Sequence, residues 1–132
     1  MKGSYVLILK MESNQVLKIG KIGEIEFRRG FYSYVGSANG KNLGIDERLK
    51  RYFKLNKEKK GNLRWHIDYL LVNNNVKIID VVKTKKEECE LARIIEKISS
   101  DLIPNFGCSD CNCESHLFFH FSNPKEKIIK FI

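Results

Sequence analysis

Three hydrogen-bonding side chains fall close together in the stretch FYSYVGSANGKNLGIDERLKRYF, residues 31–53. Tyr34 sits on an aromatic and β-branched run, and Arg48 and Tyr52 follow on a helical pattern, four residues apart. An i, i+4 pair shares one helix edge, so a guanidinium and a phenol stand side by side. Gly36, Ser37, Ala38, Asn39 and Gly40 lie between, a turn across which Tyr34 can reach the same spot. Arg48 offers a planar fork matched to phosphate oxygens. Two phenols and a guanidinium around a glycine-lined turn suit a phosphodiester. Hydrolysing one needs the attacking water deprotonated, the developing charge neutralised and the leaving oxygen stabilised. A phenol in such a cationic pocket could shift downward in pKa and act as base.

Cys108, Cys111, Cys113 and His116 form a second constellation, C-x₂-C-x-C-x₂-H within nine residues. Four soft nitrogen and sulfur ligands suffice for a structural Zn²⁺, although the C-x-C step strains tetrahedral closure. Other readings are a polar wall made by Asp110, Cys111 and His116, Cys89 joining as a ligand, or a cysteine nucleophile activated by His116. His66, beside Trp65 in an apolar run, either contacts phosphate or orients a catalytic group, or is an ordinary satisfied core histidine.

The elements that position these residues read as an alternation of strands and helices. Ser4–Lys10 is an apolar strand expected to be central and covered on both faces. Gln15–Ile19 and Glu24–Phe27 read as two further strands around Gly20 and Gly23, and residues 31–37 as the next. Ile45, Leu49, Tyr52 and Phe53 mark the buried face of the helix that follows. Lys54–Gly61 reads as an exposed loop, the segment from Arg64 to Leu71 as a short buried helix, Asn73–Asn75 as a turn and Val76–Val82 as a strand. Thr84 and Glu87 have capping-box spacing for a helix reaching about Ser99, with Leu91, Ala92, Ile95, Ile98 and Leu102 as its apolar stripe. A cysteine loop, a strand at Leu117–Phe121 and a short helix from Pro124 close the chain.

Several of these landmarks carry a family likeness. Gly3-Ser4-Tyr5 and Tyr34-Val35-Gly36 resemble the two halves of the GIY-YIG nuclease signature, and Arg48 with Tyr52 resembles the family's helix arginine and its partner. The ordered set YVGSA, WHIDYLL, ECELA and FGCSDCNCESHLF is most similar to an uncharacterised branch, sometimes fused to endonuclease III-type glycosylases. The resemblance implies an α/β (α+β) domain, a mixed and mainly antiparallel sheet flanked by helices. The extra β-ribbon between the two signature strands departs from the family pattern, in which a short connection joins them. The resemblance also implies Tyr34 as base, Tyr5 and Tyr52 as positioning groups, and one helix glutamate holding Mg²⁺ or Mn²⁺. Glu88 leads ECELA and lies on the core-facing stripe, so it is the first choice, with Glu90 second and Glu96 a further candidate. Ser37 stands where the family often has lysine.

The whole chain bounds what these sites serve. At 132 residues with 42% hydrophobic residues it suits one globular domain, and no apolar run approaches the ~20 residues of a membrane span. The beginning of the chain enters a strand pattern without a signal-peptide layout, so a cytoplasmic protein is expected, its cysteines thiols or metal ligands rather than disulfides. The net charge is +8 and the pI about 9.4, with Lys50, Arg51, Lys54, Lys57, Lys59, Lys60 and Arg64 clustered behind Arg48. A basic patch beside a phosphate site points to nucleic acid, contacted by Gly36, Ser37, Lys50, Arg51, Lys54 and Arg64. The expected activity is metal-dependent endonucleolytic hydrolysis of DNA, in a repair setting where a partner protein supplies specificity. A non-catalytic nucleic-acid-binding module and a zinc-stabilised interaction domain are the alternatives.

Overall fold

The structure, a computed structural model, describes residues 3–38, 44–108 and 112–132. Its first strand, β1 (Gly3–Met11), is apolar on both sides because both sides are covered. Tyr5, Leu7, Leu9 and Met11 enter one core cluster, and Val6 and Ile8 enter another. β2 (Gln15–Ile19) and β3 (Gly23–Phe27) pair only with each other, as a two-stranded ribbon. Gly20 and Gly23, at φ of 47° and 94°, turn the chain between them where a side chain would be strained. β4 (Gly30–Ala38) then returns beside β1, antiparallel from Gly3↔Ala38 to Met11↔Gly30. The ribbon therefore leaves and re-enters the sheet at one place, and β1 and β4 remain neighbours.

α1 (Ile45–Glu58), α2 (His66–Leu71), β5 (Val76–Thr84), α3 (Glu88–Ile98), β6 (Asp101–Leu102), β7 (Leu117–His120) and α4 (Lys125–Phe131) follow. The main sheet runs β5-β1-β4-β7-β6, and every pairing among the described residues is antiparallel. α1 and α2 cover the Tyr5 face together with Ile19 and Phe27 of the ribbon. α3 and α4 cover the Val6 face through Leu91, Ala92, Ile95 and Ile128. Each fully buried leucine or isoleucine contributes roughly 2 kcal/mol of transfer free energy, enough to fix both helix layers without help from the loops.

The structure departs from the sequence expectation in four places. Lys54–Gly61 is not a loop: α1 continues to Glu58, because Lys, Leu, Asn and Glu do not break a helix. Lys59, at φ 60°, closes it. Its ammonium donates to the carbonyls of Asn73 (2.9 Å) and Val76 (2.7 Å). Phe53 is 46% exposed, and Leu55 takes its place in the core. Thr84 ends β5, and the cap of α3 is Glu87, whose carboxylate accepts from the Cys89 and Glu90 amides. Leu102 belongs to β6, opposite Phe118, and is not part of the helix stripe.

Candidate active site

The β1–β4 register brings the two signature tyrosines together. Tyr5 faces Gly36 and Leu7 faces Tyr34, so the two phenols lie diagonally on one face of the sheet. Gly36 keeps that arrangement open, since a Cβ there would overlap the Tyr5 hydroxyl and ring. The Tyr5 and Tyr52 hydroxyls are 2.8 Å apart and share a hydrogen bond. One helical turn earlier, Arg48 donates through Nη1 to the Ser37 carbonyl at 2.6 Å, and its guanidinium lies 4.9 Å from the centre of the Trp65 ring. Its Nε is buried and has no acceptor among the described residues.

Burial governs the phenols. Tyr5 and Tyr52 are pushed above the ordinary tyrosine range and Tyr34 well above it, chiefly by desolvation of the ionised form. Arg48 opposes the rise in all three, while the Glu88 carboxylate adds to it for Tyr5 and Tyr34. The downward shift expected in a cationic pocket does not occur, because one half-buried guanidinium does not offset three desolvated rings. At neutral pH all three are therefore hydroxyl donors. Tyr34 meets Phe106 edge-on at 6.1 Å, and Gly107, at φ 72°, leaves room for its ring. The Gly107 amide donates to Nδ1 of His66 at 2.9 Å. His66 is thus held as the neutral tautomer with its proton on Nε2, and burial lowers its pKa further from the charged form.

Glu88 stands in the first turn of α3, with its side chain 30% exposed and one oxygen 3.6 Å from Nδ1 of His116. Ser4 donates to the Lys86 carbonyl at 2.8 Å, which ties the α3 approach to β1. A cleft of about 340 Å³ opens there, lined by Ser4, Ser37, Lys85, Lys86 and Glu88. The donors fit a hard divalent cation of the Mg²⁺ class: the Glu88 carboxylate, beside a Glu87 carboxylate engaged in capping α3, with room for waters and phosphate oxygens to complete the shell. Glu90 instead turns to Lys86 at 3.5 Å on the surface, and Glu96 is exposed on the outer side of the helix.

Residues 4–132 match the family described as Domain of unknown function DUF123. The chain belongs to that family. No curated protein and no solved structure matches it.

Other expected site residues have different surroundings in this family member. Arg51 is engaged by Asp68, at 2.7 and 2.9 Å. Asp68 is fully buried and also accepts from the Arg64 and Trp65 amides. Arg51 is therefore a structural residue. Lys50, Lys54 and Arg64 are exposed. In the cysteine loop, Cys108 lies against the Phe106 carbonyl (3.4 Å). The donor atoms that gather within 4.8 Å of one another belong to Cys89, Cys113 and His116. Asp110 and Cys111 lie outside the described residues, as do Asn39 and Gly40. Sequence reading passed over Trp65, whose ring lies within 5.4 Å of the Arg48, Arg51 and Arg64 guanidiniums. It also passed over Lys85 and Lys86, whose dipeptide before ECELA was the available signal.

Proposed function

We propose that this protein is a metal-dependent phosphodiesterase acting on DNA, an endonuclease of the GIY-YIG type. The observation that carries the reading is the buried Arg48 Nε, a donor without a protein acceptor among the described residues, beside the Tyr5–Tyr52 hydroxyl pair. Arg48 receives a phosphate oxygen and neutralises the charge that grows in the transition state. Tyr5 and Tyr52, held as hydroxyls, orient the phosphodiester. Tyr34, in its ionised fraction, is the acceptor of the water proton, and Glu88 is the ligand for the cation. When bound, such a cation supplies Lewis acidity and lowers the pKa of its water. Lys85 and Lys86 line the adjoining cleft and favour the approach of a polyanion. The raised phenols and Ser37 favour a second reading, a binding module without chemistry. We place the protein in the cytoplasm, working in DNA repair with a partner that selects the site. No helix among the described residues is long and apolar enough to cross a membrane.

The experiment is cleavage of branched, nicked and plain duplex DNA with Mg²⁺ or Mn²⁺. Wild type is expected to cut at least one of them. Arg48→Ala and Glu88→Gln are expected to lose about 100-fold or more in rate while still binding, and Glu90→Gln and Glu96→Gln to cut normally. Binding of all three substrates without cleavage would replace the nuclease reading by the binding module.

A further inference from the structure

We propose that Cys89, Cys113 and His116 bind a thiophilic divalent cation of the Zn²⁺ class, which ties the start of α3 to the cysteine loop. The three donor atoms lie within 4.8 Å of one another. Tetrahedral zinc, with bonds of about 2.3 Å to sulfur and about 2.0 Å to nitrogen, sets its donors roughly 3.5–3.8 Å apart. The shortfall is at most about 1.3 Å, the scale of a side-chain rotation. Two thiolates and an imidazole form a soft donor set that selects zinc over magnesium. The ligands are separated in sequence by 24 residues from Cys89 to Cys113, so the ion joins two elements, unlike a finger-like loop closed on itself.

The surroundings favour the charged ligands. Cys89 occupies the first turn of an 11-residue helix, whose dipole favours a thiolate there. Both cysteines are half-buried and His116 is buried, which shields the centre while leaving a way in. That way is a cleft of about 520 Å³, lined by Cys89, Arg93, Asn112 and Cys113. Three protein ligands leave one tetrahedral position facing this cleft for water.

The site is separate from the hard cation assigned to Glu88, and it does not depend on the nuclease reading. It has a consequence for that reading, because Glu88 directly precedes Cys89 and lies beside His116. An ion on Cys89 and His116 fixes the backbone on both sides of the Glu88 carboxylate.

The test uses the full chain, stripped with chelator under reductant and titrated with Co²⁺. Binding is read by thiolate-to-cobalt charge-transfer absorption, and zinc is added to displace the cobalt. One equivalent is expected, displaced by one equivalent of zinc. Cys89→Ser, Cys113→Ser and His116→Ala should each weaken binding about tenfold or more, and Cys108→Ser should leave it unchanged. Cys89→His keeps a ligand and should retain binding with a shifted spectrum, which covers the case in which Cys89→Ser does not fold. Absence of the charge-transfer band in wild type would overturn the proposal. So would full loading of Cys89→Ser with loss in Cys108→Ser, which would place the ligands within the loop. A Cys89–Cys113 disulfide in protein purified without reductant, seen as the loss of two hydrogens by mass spectrometry, would do the same. Each of these outcomes is read without DNA, so it stands apart from success or failure of the cleavage assay.

Discussion

Tyr34 lies almost wholly out of solvent, and desolvation holds its hydroxyl well above the ordinary tyrosine range. If it takes the proton of the attacking water, only its ionised form is competent. Its raised pKa then puts the working range on the ascending limb of the profile. We expect kcat/KM to climb about tenfold per pH unit from roughly pH 6.5 to pH 9 without levelling off. Tyr34→Phe should lose about 100-fold or more in rate, together with that slope. A flat profile in wild type would remove Tyr34 as base and leave it a hydroxyl donor. His120 carries a second pH effect, on stability. It is buried against Ser33 at 2.7 Å, and its pKa is pushed down to about 4 by desolvation and, secondarily, by Lys127. Between about pH 6.5 and pH 4 the unfolded chain binds the proton that the folded one refuses, so stability is complete above that window and falls within it. The loss should approach roughly 3 kcal/mol by urea unfolding, and His120→Gln should flatten the curve there. Which residues meet was legible where spacing is local, as for Arg48 and Tyr52. The approach of His116 to Glu88 was not, since nothing in a linear pattern encodes a contact across 28 residues.

At the scale of elements, the pairing of β1 with β4 decides whether there is a site at all. A one-residue slip would turn Tyr5 and Tyr34 to the face covered by α3. The unbroken apolar run of Ser4–Lys10 and the helical period of Ile45–Leu49–Tyr52 make both elements readable from sequence. The end of α1 was misread because lysine density resembles a loop, whereas the Lys59 ammonium is committed to the carbonyls of Asn73 and Val76. The start of α3 was misread because Thr84 and Glu87 have the spacing of a capping box, while the fold uses Thr84 to finish a strand and Glu87 alone as the cap. Gly36 is the element-level position most open to test. An alanine methyl would strike the Tyr5 ring and hydroxyl, so Gly36→Ala should cost about 1–3 kcal/mol as overpacking. It should also displace Tyr5 from Tyr52, lowering the cleavage rate while DNA affinity stays near wild type. Combining it with Tyr5→Leu should recover the stability and not the rate. Equal costs in the single and double variants would mean that the Tyr5 ring is not the obstacle.

At the scale of the molecule, a net charge of +8 points toward a polyanion, and the two strands between the halves of the resembling signature mark a ribbon inserted into the family pattern. The order β5-β1-β4-β7-β6 was beyond reach, because strand neighbours far apart in sequence are chosen by packing of whole faces. The same limit applies to the charges. In the sequence Arg51 is one basic residue among seven, and only the fold reveals that buried Asp68 holds it. This division gives a salt prediction. Each lysine or arginine that meets a phosphate of duplex DNA releases condensed counterions and contributes about −0.9 to the slope of log Kobs against log salt concentration. Lys50 and Lys54 are exposed one turn apart on α1 and available for such contacts. Their double alanine variant should reduce the magnitude of the slope by about 1.8, measured by fluorescence anisotropy across a salt series. Arg51→Ala should leave the slope unchanged and instead cost about 3 kcal/mol of stability, because it strands the Asp68 carboxylate inside the fold. If Arg51→Ala flattens the slope and the lysine pair does not, DNA lies over the Trp65 side of the helix, with the Asp68 contact exchanged for a phosphate on binding.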